Sequence, residues 1–281
     1  MKIFPFKIPK PLNDALVFQV DSGEMFYDKL HQHEEIQISF IVEGEGALVV
    51  GDKVNYYEKE DIVIIGSNLP HVFKSNTNYG KESKMLTLFF ARNSFGSDFF
   101  ELEELQELSP FFKRASHGFK VTSSKKYLST LFNQLENGSK LSRFLIFLEL
   151  LKKTSHCNYK SLSSFIYEKK ITEIEGKRMQ DVFEYTMTHF EHDISLETIS
   201  EIANMTKNAF CKYFKKRTNK TYFRFLNELR LEHACKLLID KKDLTIADVA
   251  YNSGFKNMSN FNRQFKMIKK TSPNNFRKES L

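Results

Sequence analysis

The feature that most constrains this chain is a pattern that occurs twice. Phe210, Phe214, Lys215 and Phe225 recur 51 positions later as Phe261, Phe265, Lys266 and Phe276. Ser195, Leu196 and Ile199 match Thr245, Ile246 and Val249 at an offset of 50, so the second copy holds one extra residue in its turn. Each copy reads as two short helices, the second with aromatic residues at i and i+4 on a buried stripe. Gly254 supplies the positive φ that a tight inter-helix turn needs, and Asn204, which tolerates left-handed backbone, occupies the turn of the first copy. Two copies are too few for a solenoid, which needs at least ~3 repeats. Paired helix-turn-helix units within one domain fit instead.

The flanks of each copy carry start signals. Asn257 is a predicted N-cap, Thr245-x-x-Asp248 approximates a capping box, and Ser272-Pro273 gives a last short helix an N-cap and a first-position proline. On the helix after Asn257, Phe261, Phe265 and Ile268 form the apolar stripe, while Met258, Ser259, Asn262, Arg263 and Lys266 share another face. The corresponding helix of the first copy starts near Thr206 and buries Phe210, Tyr213 and Phe214. That leaves Lys207, Asn208, Cys211, Lys212 and Lys215 facing outward. Asn, Ser and Arg beside cations can read base edges in a major groove. Between the copies, Tyr222 to Asp240 reads as one helix with Leu226, Leu229, Ala234, Leu237 and Leu238 inward. Nineteen residues at ~1.5 Å each span ~28 Å, close to the ~34 Å of one B-DNA turn. Before the first copy, Met179, Val182, Phe183, Thr186 and Phe190 mark a further helix.

Charge divides the chain in the same place. From Lys177 onward there are 20 Lys and Arg against 12 Asp and Glu, and before it 22 against 23, so the net +7 lies entirely in the last part. A neutral region joined to a basic one places polyanion binding on the second alone. With 281 residues, 41% hydrophobic content and 28 Phe, the chain can build about two packed domains and is not disordered. Cys157, Cys211 and Cys235 are odd in number and lack CxxC spacing, so they read as reduced thiols. No apolar run approaches the ~18 residues that span a bilayer, and the N-terminus shows no signal-peptide pattern. The expected location is the cytoplasm.

The first part has strand spacing. Leu16–Val20, Gln37–Val42, Ala47–Val50, Val54–Tyr57, Ile62–Ile65, Val72–Ser75 and Met85–Phe90 are predicted strands, with turns at 43–46, 51–52, 58–61 and 76–80. From Ser97 to about Ser155 the period becomes helical. Tyr127, Leu128, Leu131, Phe132 and Leu135 form one stripe, and Leu141, Phe144, Leu145, Leu148 and Leu151 a second, separated by Asn137-Gly138. This predicts a helical hairpin covering the barrel, with the second helix as a homodimer surface. Cys157 to Gly176 lacks firm periodicity and is the expected linker. The expected boundaries are 1–156 for the barrel with its hairpin, 157–176 for the linker and 177–281 for the all-α domain.

Two resemblances now stand on quoted residues. His31-x-His33, the Gly44/Gly46 turn, Asp61 before a β-run and Pro70-His71 resemble a cupin, a double-sheet jelly roll. Ala250-x-x-Ser253-Gly254-Phe255, Ser259-x-Phe261-x-Arg263-x-Phe265-Lys266 and Thr271-Ser272-Pro273-x-x-Phe276-Arg277 resemble the DNA-binding domain of AraC/XylS-type transcriptional regulators over residues 177–281. The fold class implied is α+β and multidomain: a cupin-like β-barrel with a helical hairpin, then an all-α domain with two helix-turn-helix motifs on a long helix. The resemblance implies that the second helix of each copy enters the major groove. Asn208, Cys211, Lys212, Met258, Ser259, Asn262 and Arg263 are then nearest the bases. Lys207, Lys215, Lys256, Lys266, Lys269 and Lys270 are expected on phosphate.

In the barrel, His31, His33, Gln37 and His71 are the expected ligand-binding residues, suited to a hydroxylated effector such as a sugar. No metal or other cofactor is expected. Were a metal bound, His31, His33, Glu35 and His71 would be its ligands, because alternation puts His31, His33, Glu35 and Gln37 on one face of an extended segment. No nucleophile–base pair or phosphate loop marks an enzyme. The expected function is a ligand-responsive, sequence-specific transcriptional regulator. Its partners are double-stranded DNA, a small-molecule effector, a second copy of the chain and RNA polymerase, with no membrane. The alternatives are a constitutive regulator whose barrel only dimerises and a metal-dependent cupin enzyme tethered to DNA.

Overall fold

The structure, a computed structural model, describes Ile8 and residues 14–76, 82–166 and 173–279, the side chains of 173 and 174 excepted. Most of the turn expected at 76–80, and 167–172 of the expected linker, lie outside these residues. The chain divides into two compact units, the first built mainly from residues up to Glu173 and the second mainly from Ile174 onward, with Asp52–Val54 grouped with the second.

In the first unit all seven predicted strands form, within a few residues of their expected ends. They are β1 Val17–Gly23, β2 Ile36–Glu43, β3 Gly46–Val50, β4 Lys53–Tyr57, β5 Ile62–Ile65, β6 His71–Ser75 and β7 Ser83–Phe90. Two short strands were not predicted, β8 Phe119–Val121 and β9 Tyr159–Ser161. One sheet runs β1-β7-β2-β5-β8-β9 and the other β4-β3-β6, the two-sheet plan of a jelly roll. Because each face meets a different layer, β5 is buried throughout and β2 from Ile36 to Ile41. Ile36, Ile38, Phe40, Ile62 and Ile64 pack under the helices, while Ile41, Val63 and Ile65 face the second sheet with Leu48, Val50 and Phe73. The helical cover is α1 Ser109–Ala115, α2 Lys125–Leu135 and α3 Lys140–His156. The first predicted stripe supplies Leu128, Leu131, Phe132 and Leu135 to its buried side, with Tyr127 exposed. By contrast, α3 buries Phe147, Leu150 and Leu151, of which only Leu151 belongs to the second predicted stripe. Phe144 and Leu148 are partly buried and Leu141 and Leu145 exposed, because the packed face of α3 is turned from the expected one.

Asp61 is a structural residue. Its buried carboxylate accepts from Lys120 and Lys125 at 2.7 Å each and from the Glu58 amide at 3.0 Å. A buried carboxylate is retained where such partners satisfy it.

The second unit repeats its helix-turn-helix pair, with one residue more in the second turn. It comprises α4 Glu173–His189, α5 Leu196–Ile202, α6 Lys207–Thr218, α7 Tyr222–Asp240, α8 Ile246–Asn252, α9 Met258–Lys269 and α10 Pro273–Glu279. From α5 to α8 the offset is 50, and from α6 to α9 it is 51, as in the sequence. Both turns take positive φ, +51° at Asn204 and +80° at Gly254. Both longer helices end on a left-handed C-cap, Asn219 and Lys270. Ser195, Thr206, Thr245 and Asn257 cap as side-chain acceptors, Thr245 in a full capping box with Asp248. Each copy closes over a different end of α7. Phe210 and Phe214 pack with Tyr222 and Phe225, whereas Phe261 and Phe265 pack with Leu231, Ala234, Cys235 and Leu238.

Candidate functional site

The first candidate site is the pair of outward helix faces in the second unit. On α6 the core takes Phe210 and Phe214, so Lys207, Asn208, Cys211, Lys212 and Lys215 are all exposed. Lys207 leans on Glu197 at 2.9 Å, a solvated pair that contributes little. On α9 the same partition leaves Ser259, Asn262, Arg263 and Lys266 exposed, with Lys256 exposed just before the helix. The Arg263 guanidinium donates to Asn260 Oδ1 at 3.0 Å. Asn260 Oδ1 thus holds the Arg263 fork from within the helix, while the Asn260 amide is taken by the Asn257 cap.

Two residues differ from expectation. Met258 is half-buried against Val249, Phe255 and their neighbours, because the first turn of α9 sits over the core of its own unit. Its side chain serves packing more than base contact. Lys269 is half-buried and donates to Glu232 at 2.5 Å. It braces α9 against α7 instead of facing a phosphate.

The second candidate site lies inside the barrel unit. His31, His33 and His71 bring one nitrogen each within 4.8 Å of one another, all three rings buried. His71 opens β6, and its backbone pairs with that of His31 at 2.9 and 3.1 Å, which is how residues 40 positions apart meet. The three Nδ1 atoms are held alike, by Lys29 O, Glu35 O and Leu69 O, each at 2.8 Å. A carbonyl only accepts, so each Nδ1 carries the proton and each Nε2 presents a lone pair. His71 Nε2 is buried without a hydrogen-bond partner. Burial drives the His31 pKa down to about 4 and lowers those of His33 and His71 as well, so the imidazoles are neutral at pH 7.

Gln37 joins this cluster through its side chain, 3.2 Å from His33 Nε2, and continues to Ser39 at 2.8 Å and Thr87 at 2.9 Å. With His33 Nε2 an acceptor, the network closes when Gln37 turns its amide NH2 toward the ring and its carbonyl toward Ser39. Glu35 does not join. The chain bends at residues 34 and 35 before β2 begins, so strict alternation fails there, and Glu35 contributes its backbone carbonyl to His33. The cavity lined by these residues with Tyr27, Phe73 and Phe89 measures about 50 Å³. That volume fits an ion or a water and not the sugar expected from the polar residue types, since small-molecule pockets span ~300–1,000 Å³. Three neutral imidazoles, each oriented through Nδ1–H by a carbonyl, are a donor set that fits a divalent transition metal.

Comparison with known proteins agrees with both halves. The helix-turn-helix domain family matches residues 199–279, and the cupin domain family matches residues 16–89. An uncharacterized HTH-type transcriptional regulator of Staphylococcus aureus (strain COL) is 30% identical over 142 residues, covering 50% of this chain and 18% of its own. A second, YdeC of Bacillus subtilis (strain 168), is 27% identical over 105 residues, 37% of this chain and 36% of that one. The chain thus spans about a fifth of the length of the first relative and about a third of the second. ToxT from Vibrio cholerae O395 aligns over 94% of this chain and 97% of its own at 13% identity, with a TM-score of 0.37. Among the described residues no helix is long and apolar enough to cross a membrane.

Proposed function

From a chain that carries an AraC-type helix-turn-helix domain and a cupin domain, we infer a sequence-specific DNA-binding transcriptional regulator acting in the cytoplasm. The observation that carries this reading is the exposed face of α9, where Ser259, Asn262 and Arg263 stand beside Lys256 and Lys266. Arg263 is the principal base reader, since a guanidinium bridges guanine O6 and N7. The exposed lysines of α6 and α9 seat the protein on phosphates. Footprinting of the purified protein across its own upstream region tests the proposal. Two protected segments about one helical turn apart are expected, and no protection at low salt overturns it.

Regulation is assigned to the barrel. The orphaned Nε2 of His71 beside the rings of His31 and His33 favours a divalent transition metal as the bound species, held by His31, His33 and His71, with the Gln37 side chain swinging away from His33 Nε2 when the ion enters. Bound there, such an ion would supply charge and cross-linking between the segment before β2 and the start of β6. An effector shifts DNA affinity only if it binds one arrangement of the chain better than another. Turnover by a metal-loaded barrel would favour the enzymatic alternative instead. Dimerisation is assigned to α3, which exposes Leu141 at 68% and Leu145 at 59% in successive turns. Sedimentation of Leu145→Lys should show a monomer where the parent chain is a dimer.

A further inference from the structure

We propose that Arg230 is a positioning residue that sets the spacing between the two DNA-contacting helices, by clamping the corner before the first copy to the turn of the second. This rests on the DNA-binding reading. The two copies hold opposite ends of α7, and no covalent feature but that one helix joins their cores. Contacts alongside α7 therefore add to what this helix alone imposes on the relative placement of α6 and α9.

Arg230 stands at the middle of α7 and closes the gap. Its Nε donates to Phe190 O at 2.7 Å and its Nη2 to His192 O at 2.7 Å. Those carbonyls belong to the corner that follows α4, where a helix end leaves acceptors unsatisfied. The α4 helix is part of the first copy's core, through Phe183 against Phe214 and Phe225. The same guanidinium lies over the ring of Phe255, 6.0 Å from its centroid, and Phe255 belongs to the second copy's core. Gly254 completes the contact. A Cβ there would stand 2.5 Å from Phe190 O and 2.8 Å from Arg230 Nε. The turn of the second copy is therefore pressed directly onto the corner of the first.

A second bridge crosses the same seam at the surface, Lys256 to Asp193 at 2.8 Å. The titratable groups facing Arg230 are Tyr222 and Asp193. Two divergent carbonyls and an aromatic face call for the planar, multi-donor guanidinium, which a lysine lacks.

The test is selection from a randomised duplex pool by the full-length chain, followed by affinity measurements on the selected site and on versions with one base pair added or removed between half-sites. The parent chain should select two half-sites at one spacing. Arg230→Ala should keep both half-site motifs but lose discrimination against the altered spacings by roughly tenfold, the scale of one mismatched base pair. Equal weakening at every spacing would mean that Arg230 only supports the fold, and the proposal fails. Should Arg230→Ala not fold, the exposed pair decides. Asp193→Lys is expected to reduce spacing discrimination, and Asp193→Lys with Lys256→Asp to restore it even where phosphate affinity drops. Absence of either effect overturns the clamp. A parent chain that selects no motif at all overturns the DNA-binding reading itself.

Discussion

The helix faces of the second unit and the histidine cluster of the first are opposite kinds of site. The faces of α6 and α9 are exposed, charged and spread over two helices, where the contacts of Lys207 with Glu197 and of Arg263 with Asn260 are open to solvent. The cluster is buried, neutral and confined to about 50 Å³, with every ring fixed through Nδ1. The first arrangement suits a polyanion whose counterions are displaced on binding. The second suits a small species that is stripped of water when it enters. The first is therefore expected to answer to ionic strength and the second to acid and to small ions.

Acid is the largest lever on that contrast. His31 has its pKa lowered to about 4 by burial, against about 6.5 in the unfolded chain. The unfolded state then binds more protons between those values, so the contribution is fully present above pH 6.5 and is lost as pH falls toward 4. His31 alone accounts for about 3 kcal/mol at the acid end, and His33 and His71 act in the same direction. Urea unfolding at pH 7.5 and 4.5 should show this loss, reduced in His31→Gln. An equal pH slope in that variant would break the contrast.

Metal acts next. At pH 7.5 a divalent ion such as Zn²⁺ or Ni²⁺, at a hundred times its dissociation constant, should stabilise the parent chain by about 2.7 kcal/mol. His71→Ala should abolish the gain, and a gain retained in that variant would place the ion elsewhere. On the DNA side, Arg263→Ala should cost ~1–3 kcal/mol on the selected site and relax preference at one base position. Equal loss on random DNA would reduce Arg263 to a phosphate contact. Smallest is Lys215→Ala, which should weaken all sequences alike and lower the salt slope by about 1, measured by anisotropy titrations at several salt concentrations.

The helical unit was legible because its signals are local. Caps at Ser195, Thr245 and Asn257, the turn residues Asn204 and Gly254, and aromatic spacing on α6 and α9 each act within a few residues. Repetition doubled every one of them. The burial of Met258 and the pairing of Lys269 with Glu232 were not legible, since both depend on how α9 sits against α7. In the barrel, strand alternation identified β1 to β7 but not β8 or β9, whose three residues are too few to show a period. Alternation also placed Glu35 beside the histidines, and the bend at residues 34 and 35 undid it. Likewise, nothing local to Arg230 marks it as a clamp. Its partners lie 38 and 40 positions upstream.

Strand β9 has a practical corollary for anyone isolating the barrel. It sits inside the stretch that sequence periodicity assigns to a connector, yet it pairs with β8 at the sheet edge. Just beyond it, the fully buried Leu162 donates its amide to Gly118 and accepts from Asn55. A fragment cut at His156 would leave β8 with a bare rim and an unfilled socket, inviting edge-to-edge association. Excision points should fall after Phe165.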